Sequence, residues 1–217
     1  MLPFTTEVFF SVFEQYNLDI WPAQLVAYVL GLAMLVHVFK PIRHGDRLVS
    51  AALAAAWLWN GLVYHLAYFA TINFAAPAFA ALFVVQGALL VWTGVVRGRT
   101  VWRFRADAYG WIGLALAVFA MALYPLIGWL AGHGWPSSPL LGVAPCPTTI
   151  FTVGMLLLSA QRTPLHLVII PVLWSLVGGS AAWLLGVVED VALPIAGIGG
   201  AALIVVRNRR HFAAAPT

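Results

Sequence analysis

Few side chains in this chain are equipped for chemistry. One thiol, six imidazoles and seven carboxylates are spread over 217 residues. The thiol, Cys146, lies in the run Pro145-Cys-Pro-Thr-Thr-Ile-Phe-Thr152. A single cysteine forms neither an intrachain disulfide nor a dithiol couple. Paired with His65 it offers a soft ligand set for Cu(I), Zn or Hg, with His133 as a third donor, although no metal-ligand spacing motif accompanies them. The same pair has the composition of a nucleophile and its base, but no orienting group or oxyanion hole can be named. His37 and His166 fall at matching depth in two apolar segments, which suits haem ligation or, more simply, side chains reaching the interface. Asn60, Tyr64, Tyr124, Thr149 and Thr152 supply neutral donors and acceptors for a small solute or ion. His133, Glu189 and Asp190 lie at what reads as the outer mouth. Ionisable groups inside a membrane are costly, so each is a functional candidate.

Several activities drop out on missing motifs. Lys40 is the only lysine and precedes every late apolar segment, so a rhodopsin-like Schiff base cannot form. His-Glu-x-x-His and Gly-x-Ser-x-Gly are absent. The glycines at 197–200 follow no strand and are not a phosphate loop.

The elements that position these groups are legible from composition. Apolar residues make up 63% and charged residues 8% of the chain, and mean hydropathy is +0.95. A soluble domain carries roughly a quarter charged residues, so a water-soluble fold is excluded, and disorder with it. Covering roughly 30 Å of hydrocarbon takes about 20 apolar residues. Seven segments qualify as helical spans: Trp21–Phe39, Leu48–Ile72, Ala75–Val96, Ala108–Ala131, Thr148–Ala160, Pro164–Val188 and Val191–Val206. The alternation of a transmembrane barrel is missing. With seven spans, all eleven Lys and Arg fall on one side. Glu7, Glu14, Asp19, Glu189 and Asp190 fall on the other. The positive-inside rule then places the N-terminus outside and the C-terminus in the cytoplasm. This basic balance belongs to a membrane surface and not to nucleic acid. Residues 1–20 read as an interfacial amphipathic segment, 21–206 as the seven-helix bundle and 207–217 as a cytoplasmic tail.

Over 5–16, Phe9, Val12, Phe13 and Tyr16 form a helical apolar stripe, read as a headgroup anchor or as a lid over an outward cavity. Acids, not a basic region, precede the first apolar run, so no cleavable signal peptide is expected. Pro136, Pro139, Pro145 and Pro147 interrupt the approach to the fifth span. Its helix is expected to begin at Thr148 and end near Arg162, about 13 residues or roughly 20 Å, too short to cross. A non-helical Pro-Cys-Pro segment must then dip in from outside, which is tolerated only when buried in protein or lining a watery cavity. His65 falls in the outer half, and Asn60 and Tyr64, four apart, share a helical face. No internal repeat is evident.

Leu2-Pro-Phe4, Tyr16-Asn17 with Trp21-Pro22, Trp59-Asn-Gly, Tyr64-His65, Ile72-Asn73, Tyr124-Pro125, Gly132-His133 and the Pro145–Thr152 run with Gly154 resemble an uncharacterised family of small bacterial integral membrane proteins. The resemblance covers nearly the whole chain. It implies a bacterial membrane origin and brings no activity or site with it. The expectation from the residues is an all-α inner-membrane bundle that binds or transports a small solute or ion through an outward cavity at the broken fifth helix. A membrane enzyme acting on an isoprenoid or other lipid is the alternative. Soft metal and haem stay open as cofactors, as does oligomeric state.

Overall fold

The computed structural model describes residues 3–213, and every regular element among them is helical. The first, α1 (Thr6–Asp19), starts where the Thr5 side chain accepts the Val8 N–H, an ordinary N-cap. It meets α2 (Ala23–Phe39) at an 87° bend. Next come α3 (Gly45–Thr71), α4 (Ala76–Val96) and α5 (Ala108–Leu130). The short α6 (Pro145–Leu157) follows, then α7 (His166–Leu185) and α8 (Val188–Arg210), whose last helical segment runs to Ala213. Five of these, α3, α4, α5, α7 and α8, are long and apolar enough to cross a membrane, and α1 with α2 passes the same test as a bent pair. These are the dimensions of an integral membrane protein. Each of the seven expected segments contains a helix whose bounds differ by a few residues, and the fifth, Pro145–Leu157, is too short to pass the test by itself. The segment expected as a tail from 207 is helical through Ala213. Leu2 and residues 214–217 lie outside the described residues.

One expectation is overturned. Pro145-Cys146-Pro147 is not an irregular segment: it forms the first turn of α6, after Ala144 as N-cap. Four N–H groups at a helix start have no partner within the helix. Here Ala144 donates to the Leu140 carbonyl, and positions 145 and 147, being proline, have no N–H to place. Two prolines are therefore harmless in this turn, and only Cys146 contributes a donor the helix cannot use. The irregular chain lies earlier, between α5 and Ala144. It is strapped to α1 and α3 by polar side chains: Tyr16 donates to the Val143 carbonyl (2.7 Å) and Asn17 to those of Pro136 (2.6 Å) and Ser138 (2.9 Å).

The short helix is the hub. Every residue of α6 except Cys146 is buried. At its other end the carbonyls of Leu156, Leu157 and Ser159 accept hydrogen bonds from Arg207, as does the Thr163 hydroxyl. A guanidinium, with five donors in a fixed fork, suits this closing role. Neighbouring contacts join Phe104 to Val38, Arg103 to Leu158, Trp102 to Asp46 and Thr93 to His166. They gather the ends of α2, α4 and α6 and the starts of α3, α5 and α7 at one basic end.

Glycine makes the closest helix approach. A Cβ on Gly154 of α6 would lie 2.7 Å from the Gly113 carbonyl of α5, and a Cβ on Gly113 would meet the Gly154 carbonyl at the same distance. Small residues of this kind let backbones touch where lipid supplies no hydrophobic drive. Gly154→Ala is expected to lower the thermal midpoint in detergent by an overpacking cost of about 1–3 kcal/mol. Gly199→Ala, whose Cβ meets nothing within 4 Å, should leave it unchanged.

Candidate functional site

The first turn of α6 opens into a cavity of about 140 Å³ within the bundle, at the end opposite the basic cluster. Its floor is Pro145 and Cys146, and its walls come from α3 (Tyr64, Phe69), α4 (Phe79) and α7 (Trp174, Val177, Gly178). Phe4, Phe9 and Phe13 from α1 and its approach form the roof, and Asp190, at the start of α8, closes one side. The amphipathic N-terminal segment thus covers this space with Phe4, Phe9 and Phe13. Phe13 stacks on Tyr64 at 4.8 Å between ring centroids, and Phe9 meets Phe13 edge-on at 5.2 Å.

Asp190 is the charged group of this lining. Its Oδ1 accepts the Tyr124 hydroxyl at 2.5 Å, and the Cys146 thiol faces both its carboxylate and the Trp174 indole. The Nε1–H of Trp174, buried at the cavity wall, makes no hydrogen bond of regular geometry, and the Cys146 thiol is its polar neighbour. Beside Asp190, Glu189 accepts from or donates to His133 Nε2 at 2.7 Å, while its Oε2 stays unpartnered. His133 in turn stacks on Phe10 at 4.2 Å. Both carboxylates are buried, and among the described residues neither forms an ion pair with Lys or Arg. A buried carboxylate costs several kcal/mol unless something compensates its charge. A tyrosine hydroxyl does so only in part, at about 1.5–3 kcal/mol for a hydrogen bond to a charged group.

The site residues expected from sequence divide into three sets. Cys146 and Tyr64 line the cavity, and Tyr124 reaches it through Asp190. Asn60, Thr149 and Thr152 serve the scaffold instead. Asn60 Nδ2 bonds the carbonyls of Ala56 (2.8 Å) and Gly142 (3.1 Å), tying the irregular segment to α3. Thr149 donates to the Pro145 carbonyl (2.8 Å), and Thr152 donates to that of Thr148 (2.8 Å) while accepting Trp57 Nε1–H (2.9 Å). Asn60 and Tyr64 do not share a role although both lie in the π-helical stretch 60–68: Asn60 meets the Gly142 carbonyl, and Tyr64, one turn further on, meets the cavity.

His65 stands apart, fully buried with both ring nitrogens unpartnered, against Phe83 (4.8 Å) and Trp174 (5.1 Å). The expected Cys146, His65 and His133 metal set is not assembled: no three His, Cys, Asp or Glu among the described residues are placed to hold an ion. His133 is turned to Glu189 by hydrogen bonding. Nor do His37 and His166 face a common haem space. His37 joins Asp46 (2.9 Å) in a cluster with Arg103, and His166 bonds Thr93 (2.8 Å). Sequence reasoning placed Asp190 at the mouth. It missed that Asp190 and Trp174 line one space; the acidic pair at 189–190 heading an apolar run was the signal.

A family model described as a family of unknown function, DUF6064, matches residues 6–215, and the chain belongs to that family. No curated protein and no solved structure matches it.

The lid has a direct readout, because Cys146 is the only thiol. Methyl methanethiosulfonate should modify Cys146 slowly in the intact protein. Phe9→Ala with Phe13→Ala should raise that rate by about tenfold, as expected when a local opening step is removed. Mass spectrometry of the modified protein gives the rate; an unchanged rate would mean the aromatic roof does not control entry.

Proposed function

We propose that this DUF6064 protein binds a small solute or ion in the Cys146–Asp190 cavity and carries it across a bacterial inner membrane. The observation that carries the reading is a largely covered space at the head of a buried, short helix, lined by a buried carboxylate that no Lys or Arg pairs and by an indole N–H whose polar neighbour is the Cys146 thiol. Packing alone gives no reason to keep either group there. A buried carboxylate without a counter-charge costs several kcal/mol, which a bound cation recovers.

In this reading the chain crosses seven times: α2, α3, α4, α5, the short α6 with its irregular lead-in, α7 and α8. The basic end faces the cytoplasm by the positive-inside rule, and the N-terminus and the lid face outside. The family match over residues 6–215 is compatible with one unit acting as a whole. Toward the basic end α6 is packed on all sides, and Arg207 and Thr163 close its last turn. The described state is then an outward one under a closed lid. Movement of the lid and of α6 against α5 and α8 would alternate access.

A lipid enzyme is the second reading, favoured by an apolar groove of about 380 Å³ between α2 and α3 that includes Val26, Leu30, Met34 and Leu53. Such a groove suits an acyl or isoprenoid chain. It contains no ionisable side chain, so acid–base work on a chain held there has no group to perform it. Solute handling is the better-supported reading.

Proteoliposomes test it by stopped-flow light scattering after hyperosmotic shock with glycerol, urea, alanine, potassium chloride or tetramethylammonium chloride. At least one of these should re-swell wild-type vesicles faster than protein-free ones. Cys146→Trp, which fills the cavity, should abolish the difference. Equal rates for every solute with and without protein would end the transport reading.

A further inference from the structure

Resting on that reading, we propose that the occupant of the cavity is a small alkylammonium cation, held by aromatic faces and by the Asp190 carboxylate. Seven of the eighteen lining side chains are aromatic. In the groove between α2 and α3, an equally membrane-embedded space, two of fifteen are. The aromatic lining therefore belongs to this cavity and is not the general composition of the bundle. Faces of Trp, Tyr and Phe attract cations through their quadrupoles, by about 2 kcal/mol or more once water is excluded, and quaternary ammonium groups are a usual ligand of such cages.

The charges select the same class. Asp190 is the one carboxylate of the lining, and no Lys, Arg or His lines it. With no basic side chain at hand, its counter-charge has to come from a proton or from an incoming cation. Glu189, beside it in sequence, does not line the space and is paired with His133.

An anion is disfavoured on two grounds. It would face Asp190, and the α6 terminus that should attract it lacks the donors, since proline stands at 145 and 147. The helix dipole, equivalent to about half a positive charge, is smaller than one carboxylate. A hard metal ion needs six or more oxygen ligands, and no cluster able to hold one occurs among the described residues. An alkylammonium ion gives up little hydration and needs no oxygen shell. At 140 Å³, with a water's share of liquid about 30 Å³, the space suits a cation of about five heavy atoms, the size of tetramethylammonium.

Protection of Cys146 reads occupancy in the intact protein. Tetramethylammonium chloride should slow the reaction of Cys146 with methyl methanethiosulfonate in a saturable manner. Potassium chloride should not, and neither should tert-butanol, a neutral molecule of the same size. Asp190→Asn, which keeps an acceptor for Tyr124, should raise the half-protecting tetramethylammonium concentration by about tenfold, equivalent to about 1.4 kcal/mol. The comparison between cation and alcohol needs no variant, so it stands even if Asp190→Asn does not fold. Protection by tert-butanol as strong as by tetramethylammonium overturns the ammonium assignment, and so does tetramethylammonium failing to protect while another solute enters vesicles. Both of those results leave solute handling in place. No protection by any solute, together with no solute entering vesicles, removes the ammonium assignment and the transport reading together.

Discussion

A helix of thirteen residues enclosed on every side has to satisfy its own ends, because neither water nor a continuing turn is there to do it. Much of this molecule answers that requirement. At the last turn of α6, Arg207 reaches in from α8 and takes three carbonyls and the Thr163 hydroxyl. At the first turn the problem is reduced at source, since two of the four surplus donors are replaced by proline. The chain that leads into this turn is irregular, and Tyr16, Asn17 and Asn60 bind its carbonyls from α1 and α3. The bend between α1 and α2 lets α1 lie across the bundle's end, where it can do this and roof the cavity as well.

The same arrangement accounts for the composition of the site. Where α6 begins, the bundle has a cross-section that no spanning helix fills, and a space of about 140 Å³ remains. Aromatic side chains occupy its margins, and Asp190 enters from the turn that starts α8. Structure and electrostatics diverge here. The α6 terminus is a weak positive pole with one donor the helix cannot use, whereas Asp190 brings a carboxyl group whose protein partners are a tyrosine hydroxyl and a thiol. The site therefore offers an acid with no basic side chain beside it, and its polar atoms are too few for a hydrated ion.

His65 marks the limit of that account. Two ring nitrogens without partners in a cage of Phe79, Phe83 and Trp174 carry a real energetic cost.

The sequence alone determined the all-helical membrane class, the places of the apolar segments, the clustering of Lys and Arg, and the shortness of the fifth segment. Each follows from local quantities: run length against bilayer thickness, charge position, and proline's missing N–H. Cys146 and Tyr64, which line the cavity, stood out as candidates for the same reason, because polar groups in apolar runs are conspicuous. Tertiary structure decided the rest. It showed that Pro145-Cys-Pro147 is a helical turn, since the tolerance for proline depends on where the helix starts. It parted Asn60 from Tyr64, since the first meets the Gly142 carbonyl and the second the cavity. It sent His133 to Glu189 and left His65 alone, and it turned Asp190 and Trp174 toward one space. Which groups converge depends on helix rotation and crossing, set by contacts such as Gly113 against Gly154 between segments far apart in the chain, and no local pattern encodes that rotation.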